Sequence, residues 1–206
     1  MNPDPEDTRS GSAHRVGLFG GTFDPPTIAH LVAADWVRQA YPLDCIWFVP
    51  ANQNPLKNHR ATTPPEVRLE MISTAISGIT AFRLETVEIE RGGTSYTIET
   101  LQQLQNHHPE IAFHLILGQD GFLQMKDWKE VEAIFKRVPV IVMTRPEVDT
   151  SSVPKRIVDQ VNMLEIPDMA ISSTLVRELV GKGWDIRTLV PAGVADLIAR
   201  HGLYRS

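Results

Sequence analysis

Apolar residues in this chain alternate between two kinds of stretch. Short solid runs occur at Arg15–Phe19, Cys45–Val49, Phe113–Leu117 and Val138–Met143, and Val161–Ile166 is expected to be a final strand. Runs of this length bounded by turn residues read as strands buried on both faces, as in a parallel sheet. Between them, apolar residues recur at helical spacing. Leu31 to Ala40 presents Leu31, Ala34, Trp36 and Val37 and stops at Tyr41-Pro42, and Pro65 to Ser77 presents Val67, Met71, Ile72 and Ala75. Thr94-Ser95 is predicted to cap a helix running through Leu104. Phe122–Lys126 and Trp128–Phe135 read as short helical pieces. Ser172-Ser173-Thr174 caps a helix through Val180 that stops at Gly181. Pro191 to His201 closes the chain with Val194, Leu197 and Ile198 on one face. Phe82 to Glu90 alternates apolar and charged residues and is expected to form two short strands or one interrupted strand. Strands alternating with helices predict an α/β fold with a doubly wound, mostly parallel sheet.

One stretch stands out within this pattern. Arg15 to His30 reads as a strand, a turn with Gly20, Gly21, Pro25 and Pro26, and the start of a helix. Strand, glycine turn, helix start is how α/β proteins build anion sites. Gly20 and Gly21 carry no Cβ and allow a ligand close to the backbone. Pro26 suits a first helical position. Thr27 and His30 would then share one face at the positive end of the helix. Asp24 reads as a cap of that helix rather than a metal ligand. Neither GxGxxG nor GxxxxGK[ST] is present, which removes the motif support for a dinucleotide-dependent dehydrogenase or a P-loop NTPase.

Composition narrows the class. The chain has 206 residues, 42% hydrophobic and 22% charged, enough for one domain with a proper core. Residues 1–14 are polar and acidic, unlike a secretory signal, and are expected to be a disordered tail ahead of a single domain over 15–206. No apolar run suits a membrane span. Cys45 is the sole cysteine and is expected to be a buried thiol in a reducing, cytoplasmic setting. A net charge of −5 argues against nucleic acid as a partner. Binding a polyanion would need local cations, and His30, Lys57, Arg145 and Arg177 are the candidates. A homo-oligomer is compatible with the sequence, which does not specify one.

The polar clusters gather at the carboxyl ends of predicted strands, where open α/β sheets bind ligands. They are Gly20–His30, Asn52–Lys57 in the Pro50–Pro64 loop, Gly118–Asp120, Thr144–Arg145 and Ile171–Arg177. In the last, consecutive hydroxyls open a helix, and Arg177 follows Ser173 by one helical turn, placing hydroxyl and guanidinium on one face.

Two of these clusters carry a resemblance. Gly21, Phe23, Pro25, Thr27 and His30 resemble the GxFxPxTxxH signature of the nucleotidylyltransferase superfamily. Ile171-Ser172-Ser173-Thr174-Leu175-Val176-Arg177 resembles its second signature, ISSTxxR. Further segments resemble bacterial nicotinate-nucleotide adenylyltransferases: Thr94 to Leu101 their SYTxxTL segment, Gly118-Gln119-Asp120 with Trp128 their GxDxxxxxxxxW segment, Arg68 to Met71 their RxxM helix, Arg145-Pro146 their RP turn and Gly202-Leu203-Tyr204 their GLY ending. The likeness spans residues 15 to 206. Two positions depart from it. That branch usually has His at position 27, where Thr is familiar from phosphopantetheine adenylyltransferases, and Asn54-Pro55-Leu56-Lys57 replaces the commoner PPHK.

The resemblance implies a Rossmann-like nucleotidylyltransferase fold and adenylyl transfer from ATP to nicotinate mononucleotide, giving deamido-NAD and pyrophosphate. In that reading His30, Thr27 and Arg177 are catalytic. Gly20, Gly21, Phe23, His30, Gly118, Asp120, Ile171, Ser172, Ser173, Thr174 and Arg177 would contact ATP. Thr22, Lys57, Tyr96, Thr97, Trp128 and Arg145 would contact nicotinate mononucleotide, with Trp128 stacked on the pyridine ring. Mg²⁺ would enter with ATP, held by substrate phosphates rather than protein carboxylates. The readings set against this are adenylyl transfer to nicotinamide mononucleotide or phosphopantetheine, and a nucleotide-binding relative without turnover.

Overall fold

The computed structural model describes residues 13–56, 63–145 and 149–205. The tail expected over residues 1–14 lies outside these up to residue 12, and His14 already belongs to the first strand. Elements follow in the order β1 (His14–Gly21), α1 (Ile28–Ala40), β2 (Cys45–Pro50), α2 (Pro65–Ile76), β3 (Phe82–Leu84), α3 (Val87–Arg91), α4 (Thr97–His107) and β4 (Ile111–Gly118). Then come α5 (Gln119–Leu123), a 3-10 turn (Met125–Asp127), α6 (Val131–Arg137), β5 (Val140–Thr144), α7 (Lys155–Val158), β6 (Val161–Glu165), α8 (Ser173–Gly181) and α9 (Val194–Arg200).

The strands form a six-stranded sheet in the order β3-β2-β1-β4-β5-β6, and every neighbouring pair is parallel. The winding reverses between β1 and β4, which leaves a crevice beyond their carboxyl ends, at Gly20–Gly21 and Gly118. Both faces of the sheet are covered. Val16, Leu18, Leu115 and Leu117 pack with Ile98 and Leu101 of α4 on one side. Phe19, Phe48, Ile116 and Ile141 pack with Ala34 and Val37 of α1 and Ile72 of α2 on the other. A third cluster joins α2, α8 and α9 through Met71, Val176 and Leu197, fixing the start of α8 beside the crevice. Close packing also explains Gly17: a Cβ there would lie 2.5 Å from Ile116 Cδ1 and 2.7 Å from Ile46 Cδ1. No helix among the described residues is long and apolar enough to cross a membrane.

Several local expectations are corrected. Val87–Arg91 is a helical turn rather than a second strand, because β3 ends at Leu84 and only Val87 and Glu88 turn inward. Pro26 lies ahead of α1, whose N-cap is Thr27. The cap of α4 is Tyr96 rather than Thr94-Ser95, because the Ser95 hydroxyl accepts from the Asn52 amide at 2.9 Å instead. Trp36 is largely exposed, and the buried side of α1 is Ala33, Ala34 and Val37. The closing helix starts at Val194, after Gly193 at φ 82°. Between β5 and β6, in a stretch for which the sequence pattern predicts no element, Lys155–Val158 forms a short helix that buries Ile157. Cys45 is buried as expected, and that burial pushes its thiol pKa up.

Candidate active site

His30 occupies the N3 position of α1, one helical turn beyond the N-cap Thr27. The Thr27 amide donates to His30 Nδ1 at 3.0 Å, and Thr27 Oγ1 lies 2.7 Å from the same nitrogen. A backbone amide can only donate, so Nδ1 is an acceptor and the ring proton sits on Nε2. The ring is held further by Phe23, whose centroid lies 5.2 Å away in an edge-to-face arrangement. Phe23 itself adopts φ 51°, and its ring fills the space a Cβ on Gly21 would need, 2.8 Å from Phe23 Cζ. Gly21 therefore serves internal packing as much as access. Gly20 has nothing within 4 Å of a notional Cβ and keeps the backbone open.

The sequence reading has Thr27 donating to phosphate directly. Thr27 has 0% of its surface accessible, and its hydroxyl is turned to His30, so its role is to orient that ring. The amides at this helix start also have protein partners: Ile28 donates to the Leu189 carbonyl and His30 to that of Thr27. A negative group here is attracted by side chains and by the helix dipole rather than by a ring of open amides.

The second signature lies directly against the first. Ser172 caps α8 by accepting from the Leu175 amide. Ser173 Oγ donates to the Pro25 carbonyl at 2.8 Å, and Arg177 Nη1 donates to the Asp24 carbonyl at 2.7 Å. A second arm of Arg177 lies 3.2 Å from Thr174 Oγ1. Two segments far apart in the chain are thus joined into one surface carrying His30, Thr174 and Arg177. Asp24 is not the cap of α1. It is buried, and its carboxylate accepts from the Tyr204 hydroxyl.

Beyond Gly20 and Gly21 a cavity of about 450 Å³ opens on the α4 side of the crevice. Thr22, Tyr96, Thr97, Gly118, Asp120 and Trp128 all line it. With Gly20 and Gly21, which also line it, the cavity gathers four residues assigned from sequence to the mononucleotide and four assigned to ATP. Thr22 Oγ1 is buried there without a hydrogen-bond partner among the described residues. His30, Thr27, Ser173 and Arg177 lie outside the cavity lining, so the site has two compartments that meet at residues 20–22. Arg145 joins neither: its side chain is exposed and pairs with Asp168 at 3.2 Å. Lys57 lies outside the described residues. Among the described residues no group of three or more His, Cys, Asp or Glu side chains is placed to hold a metal.

Two buried charged groups beside the site carry no role in the sequence reading. Arg68 is 1% exposed on α2 and donates to the carbonyls of Thr22 at 2.9 Å and Ala51 at 2.8 Å. It pins the segments following β1 and β2 to each other. Its signal was present: a charge at the start of an apolar series continued by Met71, Ile72 and Ala75. Glu88 lines the cavity from α3, buried, and accepts from Thr100 Oγ1 at 2.6 Å. Burial raises its pKa from 4.5, against the opposing effects of Thr100, Ser95 and Arg91. A raised carboxyl pKa contributes stability that is present below 4.5 and is lost as pH climbs through the folded-state value. Glu88→Gln can still accept from Thr100 and does not ionise. Melting temperatures taken from below that pKa up to neutrality should show the variant gaining on the wild type as pH rises. A difference that stays flat would contradict this.

With this geometry in place, the comparison with known proteins decides the family. Residues 18–179 match the family model described as cytidylyltransferase-like. A relative from Salinibacter ruber, named "Probable nicotinate-nucleotide adenylyltransferase", is 44% identical over 92% of this chain and 97% of its own. The chain belongs to the cytidylyltransferase-like family, on the nicotinate-nucleotide adenylyltransferase branch. A Geobacillus thermodenitrificans protein of the same name is 39% identical over 92% of this chain and 86% of its own. Among solved structures, the Plasmodium falciparum nicotinic acid mononucleotide adenylyltransferase complexed with NaAD superposes with a TM-score of 0.75 at 22% identity, covering 92% of this chain and 97% of its own. That likeness concerns the fold, a doubly wound parallel sheet shared by this branch of the cytidylyltransferase-like family.

Proposed function

We propose that this protein transfers the adenylyl group of ATP to nicotinate mononucleotide, releasing pyrophosphate and forming deamido-NAD. The observation that carries the reading is the meeting of two compartments at residues 20–22: a cavity lined by Tyr96, Thr97 and Trp128, and a surface bearing His30 and Arg177. A dinucleotide is assembled where two mononucleotides meet, and the crevice between β1 and β4 supplies that place.

The mononucleotide phosphate oxygen attacks the α-phosphorus of ATP, and the bond to the bridging oxygen breaks as pyrophosphate leaves. A phosphate monoester has a second pKa of about 6, so at neutral pH the nucleophile carries its charge without a protein base. What remains is in-line alignment and compensation of negative charge. His30 donates from Nε2 toward the α- and β-phosphates, and Arg177 with Thr174 holds the outer phosphates. Ser173 holds the loop in place through Pro25 rather than serving as a phosphate donor. Mg²⁺ bound with ATP would supply compensation of phosphate charge. The residues around the clamp suit a cation held by substrate, since Asp24, the nearby carboxylate, is already engaged by Tyr204. We place the reaction in the cytoplasm, where a single buried thiol stays reduced.

The direct test measures pyrophosphate release from ATP and Mg²⁺ with nicotinate mononucleotide, and separately with the nicotinamide form. Release with the acid and little with the amide is expected; no release with either would overturn the reading. Trp128→Ala should raise the Michaelis constant for nicotinate mononucleotide by about tenfold, since stacking on a base-like ring contributes about 1–3 kcal/mol. The constant for ATP should move little, and a larger change there would remove Trp128 from the mononucleotide compartment.

A further inference from the structure

We propose that Tyr204, near the chain's end, is a positioning residue for catalysis, its hydroxyl fixing the phosphate-facing loop through Asp24 and tying it to Thr63. The Tyr204 hydroxyl donates to Asp24 Oδ1 and accepts from Thr63 Oγ1 at 3.0 Å. Three segments meet at that one oxygen: the loop after β1, the residues leading into α2, and the segment beyond α9. The proposal rests on the adenylyl-transfer reading.

Three further observations support it. Asp24 is held from both ends, its carboxylate by Tyr204 and its carbonyl by Arg177 Nη1, with Ser173 on the next carbonyl. The loop that places His30 therefore hangs between α8 and the segment after α9. Second, the described residues include three non-glycine positions at positive φ, and two of them flank this contact: Tyr204 itself at 60° and Phe23, next to Asp24, at 51°. Such conformations persist where their surroundings over-determine them and gather at functional sites. Third, the phenol is a dependable donor, because burial and the neighbouring Asp24 carboxylate push its pKa well above the usual value. The ring packs against the cluster that joins α2, α8 and α9, so a change at the hydroxyl can be separated from a change in packing.

Tyr204→Phe keeps the ring and removes only the node. It should lower kcat/KM for ATP by about tenfold, as expected for one hydrogen bond to a charged group that orients reacting phosphates. Asp24→Ala should lower it as well, and Tyr204→Phe with Asp24→Ala should lose clearly less than the product of the two single losses, since the Tyr204–Asp24 bond is removed by both. Asp24→Asn retains an acceptor and should recover most of what Asp24→Ala loses. Leu203→Ala trims the same cluster without touching the loop; it should lower the melting temperature while sparing kcat/KM for ATP below that temperature. Wild-type kcat/KM in Tyr204→Phe, or an equal loss in Leu203→Ala, would overturn the proposal. Absence of pyrophosphate release from the wild type would instead overturn the function on which it rests.

Discussion

His30→Ala should lower turnover by about a hundredfold to a thousandfold while leaving the chain folded. Removing one preorganised donor from a site of developing negative charge costs about 10²–10³ in kcat. The same substitution deletes the acceptor for the Thr27 amide, an N-cap interaction worth about 1 kcal/mol. That loss is small beside a typical domain stability of about 5–15 kcal/mol, so melting and turnover should separate cleanly. The expectation depends on the tautomer. Because the Thr27 amide donates to Nδ1, the ring presents Nε2–H, a donor rather than a base. Steady-state pyrophosphate release together with a thermal melt measures both effects. Turnover of His30→Ala within a few-fold of wild type would show that phosphate is held elsewhere.

The same geometry settles what Thr27 does in place of the His usual on this branch. A residue with no accessible surface does not reach a bound phosphate; its hydroxyl holds the His30 ring instead. Threonine satisfies that task with a hydroxyl at 2.7 Å and a capping backbone. Threonine at this position therefore bears on the support of the His30 ring.

How much of this was legible in the sequence differs by kind of information. The four solid apolar runs became β1, β2, β4 and β5, because a strand buried on both faces leaves a run that little else produces, whereas β6 lies at the sheet edge with no residue fully buried. Val87–Arg91 was misread because Val87 and Ile89 alternate with glutamates, a pattern that a single helical turn also produces when one carboxylate is buried. The two signatures announced residues 20–30 and 171–177, yet not that Ser173 and Arg177 would bind the backbone of the first. Spacing along a helix reports which residues share a face; it does not report what that face meets. Contacts such as Tyr204 with Asp24, at opposite ends of the chain, exist only in the folded topology.

Arg68 illustrates the same limit and carries the largest expected effect on stability. Arg68→Met preserves length and apolar volume and should destabilise the protein by about 2–6 kcal/mol. The reason lies in its partners. A buried ion pair can sometimes be exchanged for apolar residues at little cost, because both members leave together. Here the partners are the backbone carbonyls of Thr22 and Ala51, which no side-chain substitution removes. Thr22 and Ala51 are half-buried, and each carbonyl left without a donor costs up to about 1–3 kcal/mol. Both bonds leave one guanidinium nitrogen, Nη1, and Arg68→Lys offers an ammonium on a side chain one bond shorter, so it should recover only part of the loss. The effect should reach activity as well, since Thr22 lies where the two compartments meet. Denaturant unfolding of Arg68→Met gives the number directly. A loss below about 1 kcal/mol would mean that water or a shifted loop satisfies both carbonyls, and that the guanidinium does not join the segments after β1 and β2.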